Sequence, residues 1–143
     1  MARYQIGVSK TTGAAAGLLA QLRTGAARDL RVYELGVFAA TAVSGTVALI
    51  RPSAVGATFT SSAVGAADDP IAGAGVAVVD TAATTAPTIG TNFMRRIVLP
   101  GAVGAGVIWT FPNGLTIPVS ASLALWQLSA LAVTYETYWV FEE

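Results

Sequence analysis

Carboxylates are the first residues in this 143-residue chain that could do chemistry. Asp68 and Asp69, with Asp80 further on, could offer oxygen ligands to calcium alongside loop carbonyls. Their spacing matches no calcium-loop pattern. An Asp-Asp-Pro stretch is better read as a turn whose side chains bond to their own backbone. Glu136, Glu142 and Glu143 are the other cluster, but glycoside hydrolysis needs two acids that converge across a cleft. Glu136 falls on the polar side of an alternating stretch, and the other two end the chain. Histidine and cysteine are both absent. That removes the commonest general base, the commonest metal ligand, and any disulfide or thiolate site. No G-x-S-x-G nucleophile motif occurs. The residues therefore predict no catalytic group, no metal site and no cofactor.

Binding chemistry is the alternative. Trp109, Trp126 and Trp139 could make a stacking platform for sugars, provided their rings are exposed. Trp139 shares its parity with Tyr135 and Phe141, which reads as core. Trp109 and Trp126 read as core or subunit interface. "GAVGAG" (101–106) lacks the lysine and the following helix of a phosphate loop. Arg95 and Arg96 are adjacent within an extended segment, so one of them must point inward or towards a neighbour. Glu34 or Glu136 is the expected ion-pair partner. Trp109, Trp126, Arg95 and Arg96 are thus the candidate interface residues.

The elements that must position these side chains are strands. "AVTYETYWVFEE" (132–143) has the cleanest period of two: Val133, Tyr135, Thr137, Trp139 and Phe141 on one face, polar residues and Val140 on the other. In "RDLRVYELGVFAATAV" (28–43), Leu30 and Val32 share one parity and Leu35 and Val37 the other. A shift of phase near Glu34 predicts a bulge. Ser44-Gly45 predicts a hairpin into "GTVALIRPS" (45–53). "ATFTSSAVG" (57–65), "NFMRRIVLP" (92–100), "AGVIWTF" (105–111) and a segment at 122–128 read as further strands. "PNG" (112–114) reads as the turn that ends the strand at 105–111. "LLAQLRT" (18–24) is extended or a helical turn. Residues 66–91 read as a long surface loop with one short strand at Val76–Val79, and residues 1–17 as a flexible N-terminal arm, within which "RYQIGVS" (3–9) is a short strand or part of the arm. The sum is eight to ten short strands and no helix-period segment. This predicts an all-β, antiparallel, jelly-roll-like β-sandwich over residues 18–143.

Bulk composition narrows the class of function. Hydrophobic residues make up 54% and charged residues 11%, with zero net charge. So few charges on a small domain favour association, with itself or with a partner. The basic residues are scattered, with no run longer than two, which argues against nucleic acid. The uncharged run from Ile97 to Tyr135 is long enough to suggest a membrane span. Pro100, Pro112, Pro118 and four glycines break it into pieces too short to cross as helices. It reads instead as core strands and their turns, and no membrane partner is expected. "MARYQIGVSK" has no apolar signal-peptide region, so synthesis in the cytosol without general export is the expectation.

One resemblance adds a setting. "RVYELGVFAATAVSGTVALIRPSAVG", "ADDP", "RRIVLPGAVGAGVIWTFPNGLTIPVSASLALWQLS" and the terminal "VFEE" together resemble a group of small proteins encoded among virion structural genes of actinobacterial phages and prophages. The resemblance runs from about residue 28 to the end and carries no catalytic motif. It implies a non-enzymatic virion structural protein, made in the host cytoplasm. By analogy with small jelly rolls on phage heads, it implies a capsid decoration protein whose partners are the major capsid protein and itself, as a homotrimer. A tail, baseplate or fibre-tip component, or a carbohydrate-binding module at the host surface, are the alternatives. If 1–17 is a capsid-binding arm, deleting residues 2–13 leaves the domain folded.

Overall fold

The computed structural model describes residues 2–64, 66–67, 73 and 75–143. Eleven strands are found among them, more than the eight to ten expected: β1 (Arg3–Thr11), β2 (Gly17–Arg23), β3 (Leu30–Ala39), β4 (Gly45–Ile50), β5 (Ala57–Val64), β6 (Ala66–Ala67), β7 (Val78–Thr85), β8 (Arg95–Leu99), β9 (Gly106–Ile117), β10 (Ser122–Gln127) and β11 (Thr134–Glu142). They form a five-stranded sheet, β6-β1-β11-β3-β9, and a six-stranded sheet, β5-β7-β2-β10-β4-β8. All pairings are antiparallel.

The pairings β1·β11, β2·β10, β3·β9 and β4·β8 nest inside one another, as when one long hairpin is folded over into two layers. Leaving out β5 to β7, the sheets read 1-11-3-9 and 2-10-4-8. That is jelly-roll order, as the strand pattern predicted. Strands β5, β6 and β7 are an insertion between β4 and β8, with β5 and β7 widening the six-stranded sheet beyond β2.

The core lies between the sheets. The β11 alternation puts Tyr135, Trp139 and Phe141 fully inside, joined by Leu35 and Val37 of β3, Leu22 of β2, Val47 and Leu49 of β4, and Leu123 and Leu125 of β10. The phase shift near Glu34 is a bulge. Val32 and Glu34 pair on either side of a register break that leaves Tyr33 extra, so Leu30, Val32, Leu35 and Val37 all face the core.

Four local expectations are corrected. Residues 3–11 are not part of an arm: β1 pairs with β11 along its whole length and buries Tyr4 and Ile6. Ser44-Gly45 makes no hairpin, because β3 and β4 lie in opposite sheets. Pro112-Asn113-Gly114 does not end its strand. β9 runs through it by a long bulge that sets residues 111–114 opposite Tyr33, with Gly114 at φ 70°. A proline is tolerated there because β9 is an edge strand. Finally, the 66–91 segment contains β6 and the eight-residue β7 rather than one short strand at Val76–Val79.

Candidate interaction surface

The outer face of the six-stranded sheet is built in cross-strand rows. One row runs Asp80, Gln21, Ala124, Ile50, and every member is buried. Here Arg23 Nε and Nη2 donate to Asp80 Oδ2 and Oδ1 at 2.8 and 3.2 Å, while Gln21 Nε2 donates to Asp80 Oδ2 at 3.2 Å and to the Val55 carbonyl at 3.3 Å. Ser122 Oγ donates to Gln21 Oε1 at 3.2 Å. The segment holding Val55 is tied down by an Ala54–Thr88 bridge. Asp80 is therefore a structural counter-ion for Arg23, whose guanidinium also lies 4.5 Å from the centre of the Phe59 ring. Asp68 and Asp69, its expected calcium partners, lie outside the described residues.

The next row along the same face is Leu18, Trp126, Ala48, Arg96, and it is not covered in this way. Trp126 is half-buried and Arg96 exposed. Beyond them, Val98 is 66% exposed. The structure thus brings Trp126 and Arg96 onto one apolar surface.

Trp109 and Arg95 sit elsewhere. Trp109 faces inward opposite Leu35 at the edge of the five-stranded sheet and packs against the core. Arg95 has the parity of Ile97 and Leu99, which would aim it at the core, yet it is exposed because β8 is the edge of its sheet. Its guanidinium lies 5.9 Å from the Phe111 ring centre and so closes the gap between the two sheet edges. The guanidinium of Arg96 lies over Phe93 at 5.6 Å. The expected ion pairs with Glu34 or Glu136 are not formed. Glu34 accepts from the Tyr138 hydroxyl at 2.7 Å, and Glu136 from Ser9 at 2.7 Å. With Trp139 in the core, the three tryptophans do not share a platform.

Reading the sequence one segment at a time misses a surface made by four loops. Residues 12–16, 40–44, 100–105 and 128–133 all lie at one end of the sandwich, as the strand directions require. None of them contains a charged residue. Val103 there is 70% exposed and Leu131 47%. Arg28, Asp29 and Arg51 lie at the opposite end. Underneath, the uncharged loops are pinned by a buried amide: Gln127 Nε2 donates to the Leu131 and Ser129 carbonyls at 2.7 and 2.8 Å, and its Oε1 accepts from Thr12 at 2.6 Å. Each loop is ordinary in sequence. Only the topology puts them side by side.

Two further acids serve the fold. Glu143 accepts from the Val76 and Ala77 amides, and Glu142 from the Tyr33 hydroxyl at 2.9 Å. Burial pushes the Tyr138 phenol up to about 12, reinforced by its hydrogen bond to the Glu34 carboxylate and by that charge. Comparison of the chain with protein-family models, curated proteins and solved structures finds no match.

Proposed function

We propose that this chain is a non-enzymatic structural protein of a phage virion, a decoration protein that binds the outside of the head and stabilises it through subunit contacts. The observation that carries the reading is the uncharged end of the sandwich, where Val103 and Leu131 stand in solvent with no charge in any of the four loops. Exposed apolar surface of this kind marks a contact site. Further support comes from the resemblance in residues 28–143 and from the jelly-roll order, an architecture that recurs in viral capsid proteins. The five carboxylates whose contacts are described above each bind a group of the protein's own, as a scaffold's would. On this reading the loop end and the adjoining Trp126 row face the capsid or a neighbouring copy.

Peptide mass spectrometry on gradient-purified particles tests it, counting this chain against the major capsid protein. The expected ratio is near one copy per capsid subunit. A handful of copies per particle moves the chain to the tail, and absence from particles overturns the virion reading.

A further inference from the structure

Four strands end a sheet, and each presents backbone donors and acceptors that a further strand could use. Natural β-proteins blunt such edges by making them short, bulged or charged. Three of the four are blunted here. β6 has two residues, and the stretch of β1 beyond it, Ile6–Thr11, carries Lys10. β5 is bulged twice against β7 and carries Thr58 at φ 52°. β8 carries Arg95 and Arg96. β9 differs. Its twelve residues contain no charge, and its first half, Gly106–Thr110, runs in unbroken register opposite Phe38–Glu34. Only beyond Thr110 does the Pro112–Gly114 bulge interrupt it. Among the described residues no strand pairs with its outer side, and the contact from Arg51 Nη2 to the Thr116 carbonyl, at 2.9 Å, lies beyond the Pro112–Gly114 bulge.

We propose that Gly106–Thr110 is a self-pairing edge, and that two copies of the chain join their five-stranded sheets antiparallel across a two-fold axis at Ile108. The occupant of an open edge must be an extended strand, since only a strand continues the ladder. The register centred on Ile108 uses the whole unbroken stretch and nothing else. It sets Ile108 against Ile108 of the second copy, Val107 against its Trp109, and Gly106 against its Thr110. The Val–Trp pairs are of the β-branched–aromatic kind that stabilises sheets. Charge selects a second copy over a foreign strand. A charge-free strand meets no like charge when it pairs with itself, and the chain's zero net charge adds no long-range repulsion. The nearest cations are also kept apart. Arg95 lies by Phe111, three residues from the axis, so the two guanidinium groups would be roughly 20 Å apart at about 3.4 Å per residue. That exceeds the screening length of about 8–10 Å. The resulting contact is isologous. It differs from the three-fold assembly that the resemblance implies, and it does not rest on the virion reading.

The test is sedimentation equilibrium on the purified full chain over a wide concentration range, with two variants. The wild type is expected to reach twice its 14.5 kDa mass. Ile108 is 50% exposed, so Ile108→Lys should keep the fold, seen as an unchanged circular dichroism spectrum and melting temperature, and run as a monomer. Ile108→Cys, in a chain with no other cysteine, should form an interchain disulfide on mild oxidation, while Val119→Cys should not. Both Cα separations of antiparallel pairs, about 4.5 and 5.5 Å, accept that bond. A mass other than twice the monomer's, a dimer that survives Ile108→Lys, or failure of the Ile108→Cys variant to cross-link overturns the proposal.

Discussion

Arg23 and Asp80 form an ion pair of unequal halves. The Asp80 side chain is 0% exposed and that of Arg23 28%. Removing one partner of a buried pair strands the other, and the penalty depends on which is left behind. Arg23→Met leaves a fully buried carboxylate without its two-pronged counter-charge, an expected loss of about 3–5 kcal/mol. Asp80→Ala leaves a guanidinium that still reaches water and the Phe59 ring, so the loss should be smaller. Denaturant unfolding of both variants checks the order, and equal losses would mean that the pair is not buried as described. Neither residue stands out in sequence as part of this network. The signal lies in register: Gln21 and Asp80 become neighbours only when β2 and β7 pair, and nothing local announces a pairing across so many residues.

At the scale of elements, the β3–β11 pair shows how a solvent-facing sheet surface is built. Gly36 lies opposite Tyr138, and a Cβ at Gly36 would collide with the Tyr138 ring. The glycine makes room for the ring, whose hydroxyl then reaches Glu34. Burial of the phenol, reinforced by this hydrogen bond and by the Glu34 charge, has a pH signature. The phenol's value is raised from 10.0 in the unfolded chain to about 12 in the fold. The stabilisation is fully present below pH 10 and is lost as pH rises towards 12. Tyr138→Phe should therefore be less stable than the wild type at about pH 8, by about 1 kcal/mol for one hydrogen bond. The gap should close between pH 10 and 12 in a series of denaturant titrations. Tyr135, also raised by burial, titrates alike in both proteins. A gap independent of pH would mean that neither burial nor Glu34 raises the phenol in the fold. The same two strands also mark what sequence can show. The β11 alternation and the Glu34 bulge are properties of single strands and are legible. The Ser44-Gly45 and Pro-Asn-Gly stretches mislead because turn residues mark a change of direction or a bulge without saying which sheet the chain enters next. That choice is made by partners far along the chain, such as β10 for β4 and β3 for β9.

At the scale of the whole molecule, the nested pairing makes the two chain ends interdependent. β1 is the first strand and β11 the last, and they lie side by side over nine residue pairs. The stretch "RYQIGVSKT" is open in sequence between a short strand and part of an arm, because the Gly, Ala, Ser and Thr around it look flexible, and half of it faces solvent. Its other half, Tyr4 and Ile6, is core, and Tyr4 stacks on Phe141 with ring centres 5.8 Å apart. Deleting residues 2–11 therefore does not trim an appendage. It removes two buried side chains worth about 1.5–3 kcal/mol each. It also removes the ladder along one side of β11, and with it the Thr12–Val133 contacts lose their anchor. Set against a total stability of about 5–15 kcal/mol for a domain, that is most or all of the margin. The truncated chain is expected to give no cooperative thermal transition. It should also expose β11 as a new apolar edge and aggregate. A cooperative transition with a native-like spectrum would show that the sandwich closes without β1 and would return residues 1–17 to the role of an arm.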